Sequence, residues 1–332
     1  MKKLKGKDVY VTLSDICKHL AKEIVCEVDG LKCMHEEADT RMILHAVHCS
    51  TTGSNAVVVV SEDTDVFVLC VSFSSQVPCP LYVKCGSKTR TQYFDVKKVA
   101  QMLGADKCKA LPGLHAFTGC DTVSAFAGRG KLKGLGLISK SAQHREALTL
   151  LGSHGDITDN LHKKLESFTC QLYCSTLVES VNDLRYDLFL AKKGEIQLWQ
   201  LPPCSSSLLS HCKRANYQCA IWKRGLEASP QVTSPVGSGW CMEGDDLAID
   251  WGEGLPAPQA VMELLSCHCK KECVQDSCTC IQNGLKCTNL CKLTSCANQP
   301  PEDDDDTTDL YNDSDDSDDD DESDDSETEY SY

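Results

Sequence analysis

Eight cysteines lie within 30 residues towards the carboxyl end of the chain, and this cluster restricts the possible folds more than any other feature. Their spacing is C-x-C-x3-C-x4-C-x-C-x6-C-x3-C-x4-C, with few apolar residues between them. Such a segment cannot bury a hydrophobic core, whereas Zn²⁺ bound by thiolates would supply its folding energy. Cysteines one residue apart do not easily bind the same ion, so we expect thiolates that bridge two tetrahedral ions. The predicted zinc ligands are Cys267, Cys269, Cys273, Cys278, Cys280, Cys287, Cys291 and Cys296.

The rest of the sequence indicates the reducing setting in which clustered cysteines bind metal rather than form disulfides. The basic residues within 1–8 are not followed by the apolar segment of a signal peptide. The longest apolar run, residues 56–60, is too short to cross a membrane. We therefore expect an intracellular protein that does not span a membrane.

Charge is distributed unevenly along the chain. The formal net charge of -16 comes from 49 acidic and 33 basic residues, but 18 of the acids follow residue 301, where no Lys or Arg occurs. The remaining 31 acids and 33 bases nearly cancel, so the rest of the chain is not barred from binding nucleic acid. The tail is predicted to be disordered, and its charge would suit basic protein partners.

The first 150 residues alternate between strand-like and helix-like patterns. Residues 36–49 have the apolar period of a helix, and residues 56–60 form a β-branched run typical of a buried parallel strand. Strands that alternate with helices predict an α/β fold whose parallel sheet has flanking helices. The other expected elements are strands at 9–13 and 81–84 and a helix at 94–103 that ends at Gly104.

Changes in composition divide the chain into five predicted segments. They are an α/β domain (1–145), a helical region (146–228), an irregular connector (229–266), the zinc module (267–298) and the acidic tail (299–332). Within the helical region, residues 204–226 are expected to form one helix. The stretch 201–222 mixes bases such as Arg214 with aromatic residues, so it either packs into the core or contacts nucleic acid.

Three acidic patches recur in the first 121 residues. Glu37 and Asp39 open the helix at 36–49, Asp63 and Asp65 follow the strand at 56–60, and Asp121 comes later. Ligands of open α/β sheets gather at the carboxyl ends of the strands, where clustered carboxylates suit Mg²⁺ or Mn²⁺. Two such ions roughly 4 Å apart would promote phosphodiester hydrolysis. Taken singly, the first two patches also have ordinary explanations, because acids in a first helical turn favour the helix dipole and D-x-D after a strand is common in turns.

The order of three segments, EEADTR, SEDTDVFVL and GLHAFTGCDTVSAFAGRGK, resembles the flap endonuclease/XPG family, a branch of the PIN-like fold. The resemblance covers roughly residues 31–140. It implies a site that binds two divalent cations and hydrolyses DNA phosphodiesters. The catalytic and metal-binding residues of this site would be Glu37, Asp39, Asp63, Asp65 and Asp121. It also implies that a glycine-rich turn holds a DNA phosphate, through Gly128, Arg129, Gly130 and Lys131.

Two features depart from that family. Its two further metal-facing aspartates, on strands before the helix acids, have no counterpart in the roughly 35 residues before Glu37. Thr122 stands where the family usually has an aromatic residue. The resemblance therefore implies a partial PIN-like domain and a cation site short of ligands.

The cysteine cluster resembles the CXC domain of tesmin-like proteins and of the pre-SET region of histone methyltransferases. Those domains hold three zinc ions on nine cysteines, and here Leu293 replaces a late cysteine, so the resemblance implies two or three zinc ions. Asp276 and Ser277 stand where the tesmin type has a DNA-reading tyrosine, so a DNA-binding and a purely structural or protein-binding module both stay open.

A PIN-like segment followed by a CXC cluster resembles transposon-derived proteins. Two functions remain under consideration. One is a metal-dependent, nuclease-like protein that acts on DNA in the nucleus. The other is an inactive adaptor that binds DNA or protein through the zinc module.

Overall fold

The structure is a computed structural model of the chain. It describes residues 7–21, 24–35, 37–86, 90–174, 178–193, 196–231, 233–251, 266–288, 291–293 and 295–299. Nearly all of the predicted acidic tail, and residues 252–265 of the predicted connector, lie outside the described residues.

The described chain begins with a small antiparallel sheet. Its strands are β1 (Val9–Leu13), β2 (Ile16–Ala21) and β3 (Ile24–Glu27), in the order β1-β2-β3. Arg41 attaches this sheet and the segment after it to the first helix, because its guanidinium donates to the carbonyl oxygens of Ser14 at 2.6 Å and His35 at 2.5 Å. The strand predicted at 9–13 is confirmed.

The second sheet contains β4 (Val57–Val60), β5 (Leu81–Cys85) and β6 (Gln92–Asp95). Strands β4 and β5 are parallel, whereas β6 runs antiparallel to β5. The mixed α/β class is confirmed, but the expectation of a wholly parallel sheet is wrong for the described strands. The physical reason is the link after β5, since a parallel connection needs roughly a dozen residues or more and residues 86–91 allow only a hairpin.

Strand β4 is covered on one face only. Val57 and Val59 are buried, but Val58 is 47% and Val60 is 66% exposed. The strand is therefore found where it was predicted, while the prediction that it is buried on both faces is wrong. It also lies at the edge of the sheet among the described strands.

Helices account for most of the remaining described chain. Several begin at a residue whose side chain accepts a hydrogen bond from the first turn, as at Asp63, Asp95, Ser141, Thr158 and Ser180. The α-helices are α1 (Ala38–Thr51), α2 (Thr64–Ser72), α3 (Val96–Leu103), α4 (Ala105–Phe117), α5 (Lys131–Lys140), α6 (Ala142–Leu150), α7 (Asp159–Tyr173), α8 (Val181–Ala191), α9 (Ser205–Lys223) and α10 (Thr279–Gln282).

The predicted helices agree with these bounds to within a few residues. The helix expected at 94–103 begins only at Val96, because Phe94 belongs to β6. It ends at Gly104, whose φ of 82° is strained for other residues. The helix expected at 204–226 is α9.

One hydrophobic core joins α1, the second sheet and helices α2 to α9, and it crosses the domain boundary predicted at residue 145. Helix α4 is buried along most of its length. It approaches α6 so closely that a Cβ atom on Gly113 would overlap the Leu148 carbonyl. Helices α4 and α9 are both packed into this core, and each carries side chains that contact acids of the candidate site.

The predicted irregular connector contains a β-hairpin. Strands β7 (Trp240–Glu243) and β8 (Asp246–Ile249) are antiparallel. They are joined by Gly244 and Asp245, and Gly244 has a φ of 66°, as two-residue hairpin loops require. The hairpin packs on α9, with the Trp240 ring 5.3 Å from that of Tyr217.

Candidate functional site

The acidic residues predicted from the second patch lie where β4 passes into α2. Asp63 caps α2, and its Oδ1 accepts a hydrogen bond from the Asp65 amide at 2.8 Å. Strand β5 ends beside this point, since the Ser61 amide donates to the Lys84 carbonyl at 3.2 Å. The carboxyl ends of the two parallel strands and the beginning of α2 therefore meet at Asp63 and Asp65.

Glu37 caps α1 but uses its side chain to reach α9. The Gln218 amide donates to Glu37 Oε1 at 2.8 Å, and the Trp222 indole N–H donates to Glu37 Oε2 at 3.2 Å. Gln218 is itself fixed by the Thr122 hydroxyl, which donates to its Oε1 at 2.7 Å. Both oxygens of the Glu37 carboxylate are thus oriented by buried residues of α9.

His115, on α4, holds Asp65. Its Nε2 lies 2.5 Å from Asp65 Oδ1, and the imidazole is only 4% exposed. The ring centroid is 5.7 Å from that of Trp222, so one tryptophan contacts both the Glu37 carboxylate and the His115 ring. Helices α4 and α9 therefore orient two of the predicted metal-binding carboxylates.

The pKa of Asp39 is changed by its surroundings in the cluster. Its pKa is raised to about 6, first by burial and then by the charges of Asp63, Asp65, Glu37 and Asp121. The structure thus brings all five predicted acids close enough for each of the other four to disfavour the ionised form of Asp39. Glu36, which the sequence placed in the same patch, lies outside the described residues.

The donor chemistry of this cluster fits a hard cation, but the carboxylates are not gathered as closely as cysteines are elsewhere. Carboxylate oxygens are the ligands that suit Mg²⁺ or Mn²⁺. Within the described part of the chain, the groups of three or more ligand atoms found within 4.8 Å of one another consist of cysteines. The acidic cluster is therefore a set of oriented side chains around Asp39 rather than a closed cage.

The predicted phosphate-binding turn leads into α5. Gly128 has a φ of 61° and Gly130 is the cap of the helix. The two bases of the turn face the protein: the Arg129 guanidinium lies 5.0 Å from the centre of the Tyr173 ring, and the Lys131 ammonium donates to the Gly119 carbonyl. Burial lowers the pKa of Lys131, opposed by the nearby Cys120 and Asp65.

The cysteine cluster is the second candidate site. Two groups of four Sγ atoms each lie within 4.8 Å of one another, and Cys267 and Cys287 belong to both groups. The first group adds Cys280 and Cys291, and the second adds Cys273 and Cys278.

The sulfur geometry suits tetrahedral zinc. The separations are 3.7 Å for Cys267–Cys273, 4.0 Å for Cys267–Cys287, 3.8 Å for Cys278–Cys287 and 3.6 Å for Cys280–Cys291. A Zn–S bond of about 2.3 Å in a tetrahedron places sulfurs about 3.8 Å apart. Two shared sulfurs match the bridging thiolates that the spacing predicted, and the cluster is able to hold zinc.

Burial raises the pKa of four of the six grouped thiols, whereas in Cys278 and Cys291 hydrogen bonds outweigh burial and lower the pKa. Cys291 Sγ accepts from the amides of Cys267 and Thr288, each at 3.4 Å, and the Asn298 amide donates to Cys287 Sγ at 3.2 Å. Burial opposes ionisation of Cys278, but hydrogen bonds from the Ile281 amide and neighbouring thiols outweigh it and lower its pKa to about 7.

Two of the eight predicted ligands stand outside both groups. Cys269 and Cys296 are half-buried and pack against the five buried cysteines of the cluster. Cys269 Sγ lies 3.7 Å from the Ser277 carbonyl oxygen. The structure therefore assembles six of the predicted zinc ligands and leaves these two beside the cluster.

No protein-family model, curated protein sequence or solved structure matches the chain. Among the described helices, none is long and apolar enough to cross a membrane.

The sequence did not identify the residues that orient the acids. His115, Gln218 and Trp222 stand 50 to 185 positions from the carboxylates that they contact. His115 lies within the GLHAFTGCD segment, which was the only available signal. Gln218 and Trp222 fall in the helix that was expected to pack into the core or contact nucleic acid.

Proposed function

We propose that the chain is a nuclease-like protein of the PIN-like, flap endonuclease-related kind, which uses Mg²⁺ or Mn²⁺ to act on DNA phosphodiesters. The observation that supports this proposal is the orientation of the acidic side chains: His115 holds Asp65, and Gln218 and Trp222 hold Glu37. Burial, and then the charges of the other four carboxylates, raise the pKa of Asp39, and a bound cation would favour its ionised form. A nuclear site of action accompanies this function.

Asp63, Asp65, Asp39 and Asp121 would hold the ion, together with Glu37. When bound, a divalent ion supplies an activated water and neutralises charge on the leaving oxygen of a phosphodiester. The protein contributes orientation. His115 fixes one oxygen of Asp65, and α9 fixes both oxygens of Glu37, so these groups need little rearrangement to act as ligands.

The beginning of α5 would position the nucleic acid. The amides of a helix amino terminus attract phosphate, and Gly128 and Gly130 carry no side chain that would block its approach. Since Arg129 and Lys131 already contact the protein, the backbone of this turn is the part that would hold a phosphate.

The test is cleavage of flap and single-stranded DNA by the full chain with Mn²⁺. The double variant Asp63→Asn/Asp65→Asn should lose activity by more than about 100-fold, because even the outer partners of metal ligands typically contribute about 10- to 100-fold. Asp159→Asn is the matched control, since Asp159 also lies in a first helical turn but outside the cluster. Identical background rates for the wild type and the double variant would refute the nuclease proposal.

His115→Phe tests orientation separately from folding. The variant keeps a buried ring but removes the partner of Asp65. We expect the Mn²⁺ concentration for half-maximal activity to rise about 10- to 100-fold. A purely structural role would change the melting temperature but leave the Mn²⁺ dependence as in the wild type.

A second function is favoured by the cysteine geometry. The six grouped sulfurs support a zinc-dependent adaptor that binds DNA or protein whether or not the acidic cluster cuts. Lys270, Lys271, Lys286 and Lys292 give the module basic character. Salt-dependent DNA binding by the full chain that disappears in Cys267→Ser, and persists in Asp63→Asn/Asp65→Asn, would establish DNA binding through the zinc module. Equal binding by Cys267→Ser and wild type would exclude that role.

A further inference from the structure

A cavity of about 410 Å³ lies away from the carboxylates, between the loop after Asp121 and the elements α8 and α9. Residues 124–127 form one wall and lead directly into the glycine-rich turn, while the segment after β8 closes another side. Its volume falls in the range of about 300–1,000 Å³ that is usual for small-molecule sites. None of the predicted metal ligands lines it.

Two arginines give the cavity positive charge. Arg214 is only 6% exposed, and its guanidinium donates to the Gly239 carbonyl at 3.2 Å. Arg185 donates to the Pro202 carbonyl at 2.6 Å. A guanidinium has five N–H donors, so one backbone contact each, and the Asp250 carboxylate beside Arg214, do not exhaust their capacity to bind an anion. Asp250, which also lies in the lining, interacts with Arg214.

Hydroxyl groups and a helix end stand beside these arginines. Ser207 lies in the first turn of α9, a helix of 19 residues whose amino terminus faces the cavity through Pro203 and Cys204. The helix dipole and the serine hydroxyl both favour a negatively charged group at this point. They are secondary to the two guanidinium groups.

Aromatic side chains supply flat apolar surface in the same cavity. Trp199 is 62% and Trp251 is 79% exposed, and both line it. The Tyr173 ring lies deeper, at 7% exposure, with the Arg129 guanidinium 5.0 Å from its centre. Exposed tryptophans are costly in water, and stacking of a base on an aromatic ring contributes about 1–3 kcal/mol.

We propose that this cavity binds a nucleobase that carries a phosphate, with the base on the tryptophans and the phosphate on Arg185 and Arg214. The ligand is either a free mononucleotide or an unstacked nucleotide within a single strand. Neither source requires a divalent ion or cleavage at the acidic cluster, so the inference goes beyond the proposed nuclease function.

The test is binding to the full chain in EDTA, measured by tryptophan fluorescence and by calorimetry. The probes are AMP and TMP, the half-ligands adenosine and ribose 5-phosphate, and single-stranded oligo(dT). We expect saturable binding of the mononucleotides that is about tenfold or more tighter than binding of either half, because base and phosphate contribute separately.

Two variants and one control locate the site. Arg185→Gln and Trp199→Leu should each raise the dissociation constant about tenfold or more, and Trp199→Leu should also reduce the fluorescence change. Trp199 is exposed, so its replacement is compatible with folding. Arg224→Gln is the matched control: it removes the same charge near the other end of α9, where Arg224 likewise donates to one backbone carbonyl.

Each outcome decides the proposal. Tighter binding of oligo(dT), displaced by mononucleotide, supports a strand nucleotide, and equal affinities support a free mononucleotide. The proposal is overturned if the wild type binds neither the mononucleotides nor oligo(dT). It is also overturned if Arg185→Gln and Trp199→Leu both bind the mononucleotides as tightly as Arg224→Gln does. Asp63→Asn/Asp65→Asn should bind normally in EDTA, so loss of cleavage and loss of nucleotide binding are distinguishable. A comparable loss in this double variant would overturn the location.

Discussion

Single cysteine-to-serine substitutions in the zinc module should remove different numbers of zinc ions. The two groups of four sulfurs share Cys267 and Cys287. Six cysteines arranged in this way have positions for two ions, with two bridging and four terminal thiolates. We therefore expect two tightly bound zinc ions per chain in the wild type, rather than the three of the nine-cysteine CXC domains that the segment resembles.

The expected losses follow from group membership. Cys267→Ser removes a sulfur from both groups and should release both ions. Cys273→Ser removes a sulfur from one group, so one ion should remain. Cys269→Ser removes a sulfur from neither group. It is the matched control, because Cys269 lies in the same module, only two positions after Cys267.

Native mass spectrometry of the full chain counts the bound ions, and a chromophoric chelator measures the rate of release. Structural zinc sites contribute about 10–16 kcal/mol to the folding of small zinc modules, so partial loss should also make the module sensitive to proteases. Three ions in the wild type would refute the shared-pair arrangement. Equal zinc loss in Cys267→Ser and Cys269→Ser would do the same.

Three further predictions concern the rest of the fold. The raised pKa of Asp39 means that its ionised form opposes folding, a penalty that is absent below about pH 4 and grows as pH rises through about 6. Asp39→Asn should therefore increase the free energy of unfolding at pH 7 by about 1 kcal/mol after allowance for solvent screening, and should leave it nearly unchanged at about pH 4; chemical denaturation at both pH values without metal checks this. Gly113→Ala should destabilise the chain by about 1–3 kcal/mol in thermal denaturation, because the added carbon overlaps the backbone of α6. Gly136→Ala is the control: Gly136 has open space around it, so this variant should be stabilised by up to about 1 kcal/mol. Burial opposes ionisation of Cys204, but hydrogen bonds from neighbouring serines lower its pKa, whereas burial raises the pKa of the similarly buried Cys108. A brief maleimide pulse with peptide mapping should therefore label Cys204 faster than Cys108, and equal labelling would contradict the assigned environments.

Features with a local cause were predictable from the sequence. The start of α2 follows from Asp63, whose carboxylate caps the helix, and the end of α3 follows from Gly104. The direction of β6 was predictable in principle, because residues 86–91 are too few for a crossover. The exposed face of β4 was not, since a run of valines has the same pattern whether one or both faces are covered.

The acidic site divides in the same way. The order of the patches placed the same five carboxylates in one predicted site, and in the structure burial, followed by the charges of the other four, raises the pKa of Asp39. Their orienting partners were not predictable, because His115 and Gln218 are far away along the chain and have no spacing that relates them to Asp65 or Glu37. Only the packing of α4 and α9 into one core brings them there.

The sequence by itself determined that residues 267–296 form a thiolate cluster, because ligands so close along the chain stay close in any compact conformation of the segment. It also determined where five of the ten described α-helices begin, since capping is a contact within one turn. Tertiary structure alone decided which sulfurs are shared, how Glu37 and Asp65 are held, and that Arg185, Arg214 and Trp199 border one cavity. These depend on long-range packing, in which the whole core fixes the distance between residues that no local pattern relates.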